Sequence, residues 1–349
     1  MVKVIAQNLS EKTGSRVSIE KVSFSLTGNF LISNLQVDDY IGNELIKIEK
    51  LSAGYGWYSR IKKIINLHHL EIEGLTFSIV KYHGAEGDNL WYFLKHFATE
   101  NEPDTLVANK KPSRWIIELD NLRLLNAKFV YENVDDRTPG PGIDFDDISL
   151  ENINFQANDI RFEGDTIRAG IKSLTLIEKS GFDIREFSGD ARFSPDGLGV
   201  EGLKACVNNS TLDLDFSFGY DHLADFNDFL EKIRINGKFR QTELQMSDIG
   251  YFAPIMFSMN DLIKIKGDVS GTVASFNGRN LEIKYGQKTV YEGNIRMNGL
   301  PDITETFIHA DIKNFTTSAG DVENFALPAG SGDIPVPAYR RSQIGRAHV

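Results

Sequence analysis

Residues 30–37 read Phe-Leu-Ile-Ser-Asn-Leu-Gln-Val, a phrase of apolar, any, apolar, two polar, apolar, any, apolar. It returns as Ile46/Ile48/Leu51/Ala53, Ile65/Leu67/Leu70/Ile72, Ile117/Leu119/Leu122/Leu124 and Ile148/Leu150/Ile153/Phe155. The skipped polar pairs are Ser33-Asn34, Glu49-Lys50, His68-His69, Asp120-Asn121 and Glu151-Asn152. On a helix, at about 100° per residue, the four apolar positions scatter around the axis and define no buried side. On a strand each half alternates, and the polar pair resets the phase as a β-bulge does, returning the apolar set to one side. The phrase predicts bulged strands, each with one apolar face.

The third and fourth copies continue alike, Leu75/Phe77/Ile79 after one and Ala127/Phe129/Tyr131 after the other, every position displaced by 52 residues. An internal repeat of that kind points to a stacked array. Beyond Phe155 the alternation resumes at Ile160/Phe162, 171–177, 184–193, 198–207, Leu212 to Phe218, 263–273, 281–285, 290–297 and 307–315. Helical spacing is confined to short stretches: residues 2–12, 88–99 with Asp88 as cap, 221–231, and 247–256 broken by Pro254. Roughly 17 to 20 strands ~4.8 Å apart would extend ~80 Å, and sheets of that size curl, split or close. The expected fold is therefore mainly β: a long, curled, largely antiparallel sheet forming a groove, with a few short amphipathic helices.

The chain has 349 residues, is 41% apolar and 25% charged, and carries a formal net charge of −11. These values suit a folded protein and exclude the basic stripe of a nucleic-acid binder. The lone Cys206 builds neither an intrachain disulfide nor a thiolate metal site. No stretch approaches the ~20 apolar residues of a membrane span.

Catalytic and metal-binding patterns are missing. His68-His69 occupies the slot of the other polar pairs, and adjacent strand residues point to opposite faces, so the pair reads as a solvated turn device. Residues 144–147 (Asp-Phe-Asp-Asp) begin like a calcium loop but lack its glycine and closing glutamate. There is no phosphate loop, nucleophile elbow or Cys/His pair in a nucleophile context. Neither an enzyme, a cofactor nor a metal is expected. Tyr55, Trp57 and Tyr58 beside Lys62-Lys63, and Trp91-Tyr92-Phe93, read either as interfacial membrane anchors or as ordinary core and edge positions.

Residues 7–24 (Gln-Asn-Leu-Ser-Glu-Lys-Thr-Gly-Ser-Arg-Val-Ser-Ile-Glu-Lys-Val-Ser-Phe) resemble the opening of the AsmA-like proteins, especially the TamB family, the translocation and assembly module of Gram-negative bacteria. Residues 34–39 and 42–48 continue the match, and 248–254, 265–272 and 298–303 are similar to Bacteroidetes versions. The resemblance reaches about Phe325 and rests on the order and spacing of these motifs.

It implies a non-enzymatic, periplasmic β-groove anchored in the inner membrane. The expected partners are phospholipid acyl chains, the inner membrane through a helix upstream of Met1, and an outer-membrane barrel through a longer C-terminal region. Outer-membrane biogenesis, by phospholipid transport between membranes or by protein assembly, is the implied role, and this chain would be an N-terminal fragment. The expected organisation is a helix over 1–14, a groove over 15–325 with a sub-boundary near 100–112, and an unstructured tail over 326–349 whose last residues read as translated adapter. The expected groove lining is Phe30, Ile32, Leu35, Val37, Ile46, Ile48, Leu67, Leu70, Ile72, Phe77, Leu119, Leu122, Leu124 and Phe129. Two other readings of the same strands are a scaffold whose apolar face packs on itself as a sandwich, and a carbohydrate-active β-solenoid enzyme with clustered carboxylates.

Overall fold

The structure, a computed structural model, describes residues 6–7, 10–11, 13–24, 28–96, 115–137, 139–300 and 306–325. The expected 326–349 tail and the expected sub-boundary near 100–112 lie outside the described residues. Of the expected N-terminal helix over 1–14, residues 6–7, 10–11 and 13 are helical, Gly14 is a bend at φ 63°, and the others lie outside the described set.

The chain is mainly β, with fifteen strands ordered in one open sheet as they occur in sequence. The first seven are β1 (Val17–Phe24), β2 (Asn29–Asp38), β3 (Glu44–Ser59), β4 (Ile64–Lys81), β5 (Ile116–Asn133), β6 (Asp147–Glu163) and β7 (Thr166–Glu178). There follow β8 (Asp183–Ser194), β9 (Gly197–Val207), β10 (Ser210–Gly219), β11 (Arg234–Gln245), β12 (Leu262–Gly271), β13 (Ser275–Tyr285), β14 (Thr289–Asn298) and β15 (Phe307–Thr316). The strand count is lower than the sequence suggests because Ile160/Phe162 continues the strand of Ile148 to Phe155. Strand β11 has no counterpart among the expected strands.

The helices are shorter than their sequence spacing. Helix α1 (Asn89–Lys95) starts where expected, with the Asp88 carboxylate accepting the Trp91 N–H at 2.7 Å. The predicted helix at 221–231 is instead a 3₁₀ turn over Leu223–Asp228 followed by one helical turn, α2 (Phe229–Lys232). The predicted helix at 247–256 resolves into 3₁₀ turns over Met246–Tyr251 and Pro254–Ser258, because Pro254 cannot donate in a helix interior. A last short helix, α3 (Ala319–Asn324), follows β15.

Two compact units divide the chain, Met1–Asp183 and Ile184–Val349. In the first, β4 and β5 form a parallel pair, whereas the other ladders whose register is given are antiparallel. A parallel pair needs a crossover, and α1 lies in the connection between Lys81 and Ile116. The register joins Ile64 to Ile116, Leu70 to Leu122, Phe77 to Phe129 and Lys81 to Asn133. Each partner is displaced by 52 residues, so the two repeat copies lie side by side with equivalent residues adjacent.

The phase reset also has a definite geometry. Phe30, Ile32, Leu35 and Val37 of β2 face Ala53, Leu51, Ile48 and Ile46 of β3, with Ser33 opposite Lys50. Both strands take their three-residue step at the same level, so no register offset arises there. Strand β1 matches, with Val17, Ile19, Val22 and Phe24 opposite Val37, Leu35, Ile32 and Phe30, making it a further copy of the phrase. Left-handed residues sit at this step: Asn34 (φ 48°), Gly74 (φ 64°), Asn126 (φ 51°) and Asn152 (φ 53°). Asn and Gly tolerate that conformation with little strain, which is why they stand there.

Candidate functional site

In the first unit the ladders carry the apolar positions across the strands in rows. Val37, Ile46, Phe77, Phe129 and Leu150 form one row. Ile32, Leu51, Ile72, Leu124, Phe155 and Leu174 form another, and Phe30, Ala53, Leu70, Leu122, Ala157 and Ile171 the next. Beyond a second step lie Tyr55, Leu67, Leu119 and Ile160, then Tyr58, Ile65, Ile117 and Phe162. All fourteen positions expected to line a groove therefore belong to one connected lattice of cross-strand neighbours. Past Leu31 at its β2 end, the intervening row is polar: Ser52, Glu71, Arg123, Gln156 and Ser173. Ion pairs Lys50–Glu73 (2.8 Å) and Lys128–Glu151 (2.7 Å) strap that polar set across strands.

Burial along the lattice is partial. Val37, Ile48 and Leu119 are buried, and the other eleven of the fourteen are half-buried. One apolar cluster joins Leu119, Ala157 and Ile160 to Leu67, Leu70, Leu122, Phe155, Ile167 and Ala169, all from β4 to β7. A second joins Val17, Val37 and Leu45 to Ile19, Leu35, Ile46 and Phe77, with Leu90 and Phe93 of α1 laid over them. Each cluster draws on consecutive strands and, in the second case, one helix.

A buried polar knot holds α1 at that margin. The Asn89 side chain accepts the Val80 N–H at 2.9 Å and donates to the Ser78 carbonyl at 3.1 Å and to Asp39 at 3.3 Å. Asp39 also accepts the N–H groups of Ile41 (3.0 Å) and Asn43 (2.8 Å) and the Tyr82 hydroxyl. Burial, and then the Asp39 carboxylate, push the Tyr82 hydroxyl up to about 12, so it stays a donor at neutral pH.

In the second unit Phe193, Leu198, Phe218, Ile235, Gly271, Phe276, Met297 and Ile308 form a row from β8 to β15. Ala191, Val200, Phe216, Gly237, Val269, Gly278, Ile295 and Ala310 form its neighbour. Its buried cluster is Val200, Leu203, Ala205 and Leu214, flanked by Phe187, Ala191, Val207, Leu212, Phe216 and Phe239. Phe226 and Phe229 cover one margin, edge-on to Phe218 at ring distances of 6.4 and 5.4 Å. Two open hollows in this unit are polar instead. One of about 450 Å³ is lined by Arg279, Arg296, His309 and Asp311, and one of about 480 Å³ by Glu243, Lys264, Lys266, Glu282 and Lys284.

The histidine pair divides between two settings. His68 is exposed and lies 3.1 Å from Asp120, the residue displaced from it by 52; Asp120 also accepts from Asn66 at 2.7 Å. These contacts, Asn66 first and His68 second, hold the Asp120 carboxyl below the usual range. His69 is half-buried, 3.3 Å from the Ser52 hydroxyl. Among the described residues no group of three or more His, Cys, Asp or Glu side chains is placed to hold a metal ion. Among them, too, no helix is long and apolar enough to cross a membrane. The sequence reading had not included the lattice of the second unit, whose slots are partly filled by Gly237, Gly278 and Thr242.

No protein-family model matches this chain, and neither a curated protein nor a solved structure matches it.

Proposed function

We propose that the apolar lattice shelters phospholipid acyl chains, as a non-enzymatic segment of a cell-envelope protein. The observation that carries this reading is the combination of continuity and incomplete cover. The fourteen positions of the first unit join row to row across β2 to β5, yet most stay half-buried, and α1 covers one margin. Apolar surface left wet is unfavourable, and each acyl CH₂ laid on it recovers about 0.8 kcal/mol. A self-packed sandwich would interleave side chains from two layers, whereas the clusters here draw on consecutive strands. The likeness of residues 7–24, 34–39, 42–48, 248–254, 265–272 and 298–303 to AsmA-like and TamB proteins supports the same reading. On it, the whole protein would sit in the periplasm, anchored to the inner membrane and working with an outer-membrane barrel.

The test is mass spectrometry of phospholipid co-purified with the chain produced in a bacterial envelope, together with the variant Leu124→Asp. Leu124 is half-buried in the lattice, while Leu119 is wedged among Ala157 and Ile160 and would destabilise the fold under any reading. A carboxylate among acyl chains should cut bound lipid by at least about tenfold, with the β circular dichroism unchanged. No co-purified phospholipid, or unfolding by Leu124→Asp, overturns the proposal.

A further inference from the structure

The hairpin joining β3 to β4 exposes the largest run of apolar and aromatic side chains in the first unit. Ile61 is 96% exposed, Tyr55 76%, Tyr58 73% and Trp57 51%. The turn itself is well formed: the Lys62 N–H donates to the Ser59 hydroxyl at 3.2 Å, and Lys63 takes the left-handed conformation at φ 54°. On the neighbouring strand the Ile116 N–H donates to the Lys63 carbonyl at 2.8 Å, which ties the turn to β5. Exposed side chains here are therefore presented by an ordered hairpin.

Charge at this tip runs against the rest of the chain. Residues 54–66 contain Arg60, Lys62 and Lys63 and no aspartate or glutamate, in a chain whose net charge is −11. The row Ile65, Ile117 and Phe162, also exposed, ends at this margin, opposite the one that α1 covers. Tyr and Trp favour the headgroup level of a bilayer, where a ring can be apolar on one side and wet on the other. Lys and Arg beside them gain from anionic headgroups, and a bare isoleucine gains from leaving water.

From this hairpin we infer that residues 55–63 dock on the surface of an anionic lipid bilayer, with Ile61 and the aromatic rings at the headgroup–acyl boundary and Arg60, Lys62 and Lys63 on the phosphates. Lipid is favoured over a protein surface because three cations alternate with aromatic and aliphatic side chains in one tight turn, without the acid that would pair them. The inference stands on the hairpin alone. A chain that docks on vesicles but carries no phospholipid keeps this inference and loses the proposed function.

The experiment is co-sedimentation of the full chain with phosphatidylcholine vesicles, with and without about one-third phosphatidylglycerol, at low and high salt. Binding should require the anionic lipid and weaken with salt. The double variant Lys62→Gln/Lys63→Gln should lower affinity about thirtyfold at low salt. Ile61→Ser should also weaken binding while leaving thermal unfolding unchanged, since the side chain touches little else. With Trp91→Phe and Trp115→Phe leaving Trp57 as the sole tryptophan, its emission should shift to the blue and be quenched by lipids brominated near the headgroup. No binding to anionic vesicles overturns the inference. So does binding that survives all three hairpin substitutions, or a Trp57 that bound vesicles leave unquenched.

Discussion

In β1 to β5 every strand takes its three-residue step at one level, whereas from β8 to β14 the step falls on alternate strands. The first arrangement pairs Ile19–Val22, Leu35–Ile32, Ile48–Leu51, Ile72–Leu75 and Leu124–Ala127 with no register offset at that level. In the second, β9 steps from Val200 to Leu203 while β10 passes directly from Phe216 to Leu214. Strand β11 likewise steps from Phe239 to Thr242 against β12, and β13 from Gly278 to Leu281 against β14. These are true bulges, two residues against one. Aligned steps need only a residue that accepts a left-handed backbone. Opposite the alternating bulges the plain strands β8, β12 and β14 give up the side chain, carrying Gly189, Gly267 and Gly293 at that level. Plain strand β10 keeps Asp215 there, and its carboxylate accepts the Gly202 N–H of the β9 bulge at 2.8 Å.

Substitution at these levels should separate the two arrangements most strongly. A Cβ on Gly267 (φ 122°) would stand 2.7 Å from the Asn280 carbonyl oxygen and 2.9 Å from the Leu281 Cα, backbone atoms that cannot swing away. Gly267→Ala should cost about 3 kcal/mol, from strain and overlap together. At Gly74 (φ 64°) the nearest atoms belong to the exposed Glu49 side chain, which can move. Gly74→Ala should cost about 1 kcal/mol, the left-handed penalty alone. Urea unfolding of the two variants measures the difference, and equal costs would mean that the bulges do not crowd their neighbours.

The polar anchors of the two units should fail at opposite ends of the pH scale. Asp321 of α3 accepts the N–H groups of Gln287 (3.1 Å), Lys288 (2.8 Å) and Thr289 (2.8 Å) and the Thr289 hydroxyl, closing the β13–β14 hairpin. Burial pushes its carboxyl up, but these donors together hold it below the usual range. Its contribution is therefore full above the ordinary carboxylate pKa and is lost as pH falls through the depressed value. Asp321→Ala should cost about 2 kcal/mol at neutral pH and flatten the acid limb of the stability profile. In the first unit Tyr82, raised to about 12, contributes fully below the ordinary phenol value and loses that contribution as pH rises toward 12. Tyr82→Phe should flatten the alkaline limb, with the acid limb unchanged; thermal melts across pH read both.

The same contrast explains what could be read from residues alone. Five copies in the first unit are visible because β2 to β6 write the phrase mostly in large apolar residues, so the fourteen positions and the 52-residue repeat follow from spacing, whereas the parallel pairing of β4 with β5 does not. Strand β11 escapes notice because its slots hold Gly237 and Thr242 around Phe239. Gly237 is required where a Cβ would stand 2.9 Å from the Phe239 ring, and Thr242 because its hydroxyl bonds the Asp213 backbone at 3.2 Å. Neither the Phe239 ring folded back along β11 nor the Thr242 bond across to β10 is visible in the strand's alternation. Residues 221–231 misled for a related reason. Phe226 and Phe229, three apart, suit three residues per turn as well as 3.6; Phe226 meets Phe218 from the 3₁₀ turn and Phe229 from the start of α2. Exposure of the β3–β4 hairpin was equally out of reach, since aromatic residues beside lysines serve a core edge and a surface tip alike.

A smaller perturbation sharpens the comparison, because both units use one device to satisfy the backbone at the step. The N–H of left-handed Asn126 donates to the Asn154 side chain of the next strand at 3.1 Å. In the second unit the N–H of left-handed Asn280 donates to Asn294 at 2.9 Å. Asn294→Ala removes one acceptor from an exposed site that water can reach and should cost about 1 kcal/mol; Asn154→Ala also removes the bonds its side chain donates to the Asn152 carbonyl (3.0 Å) and the Thr175 hydroxyl (3.4 Å), and should cost more. If the steps act independently, Asn154→Ala and Gly74→Ala add. If the aligned steps of β4 and β5 reinforce one another, the pair should show non-additivity in a double-mutant cycle. Gly74 and Asn126 are cross-strand equivalents in the 52-residue register, so coupling there would show that the repeat stabilises its own stacking, beyond merely repeating a surface.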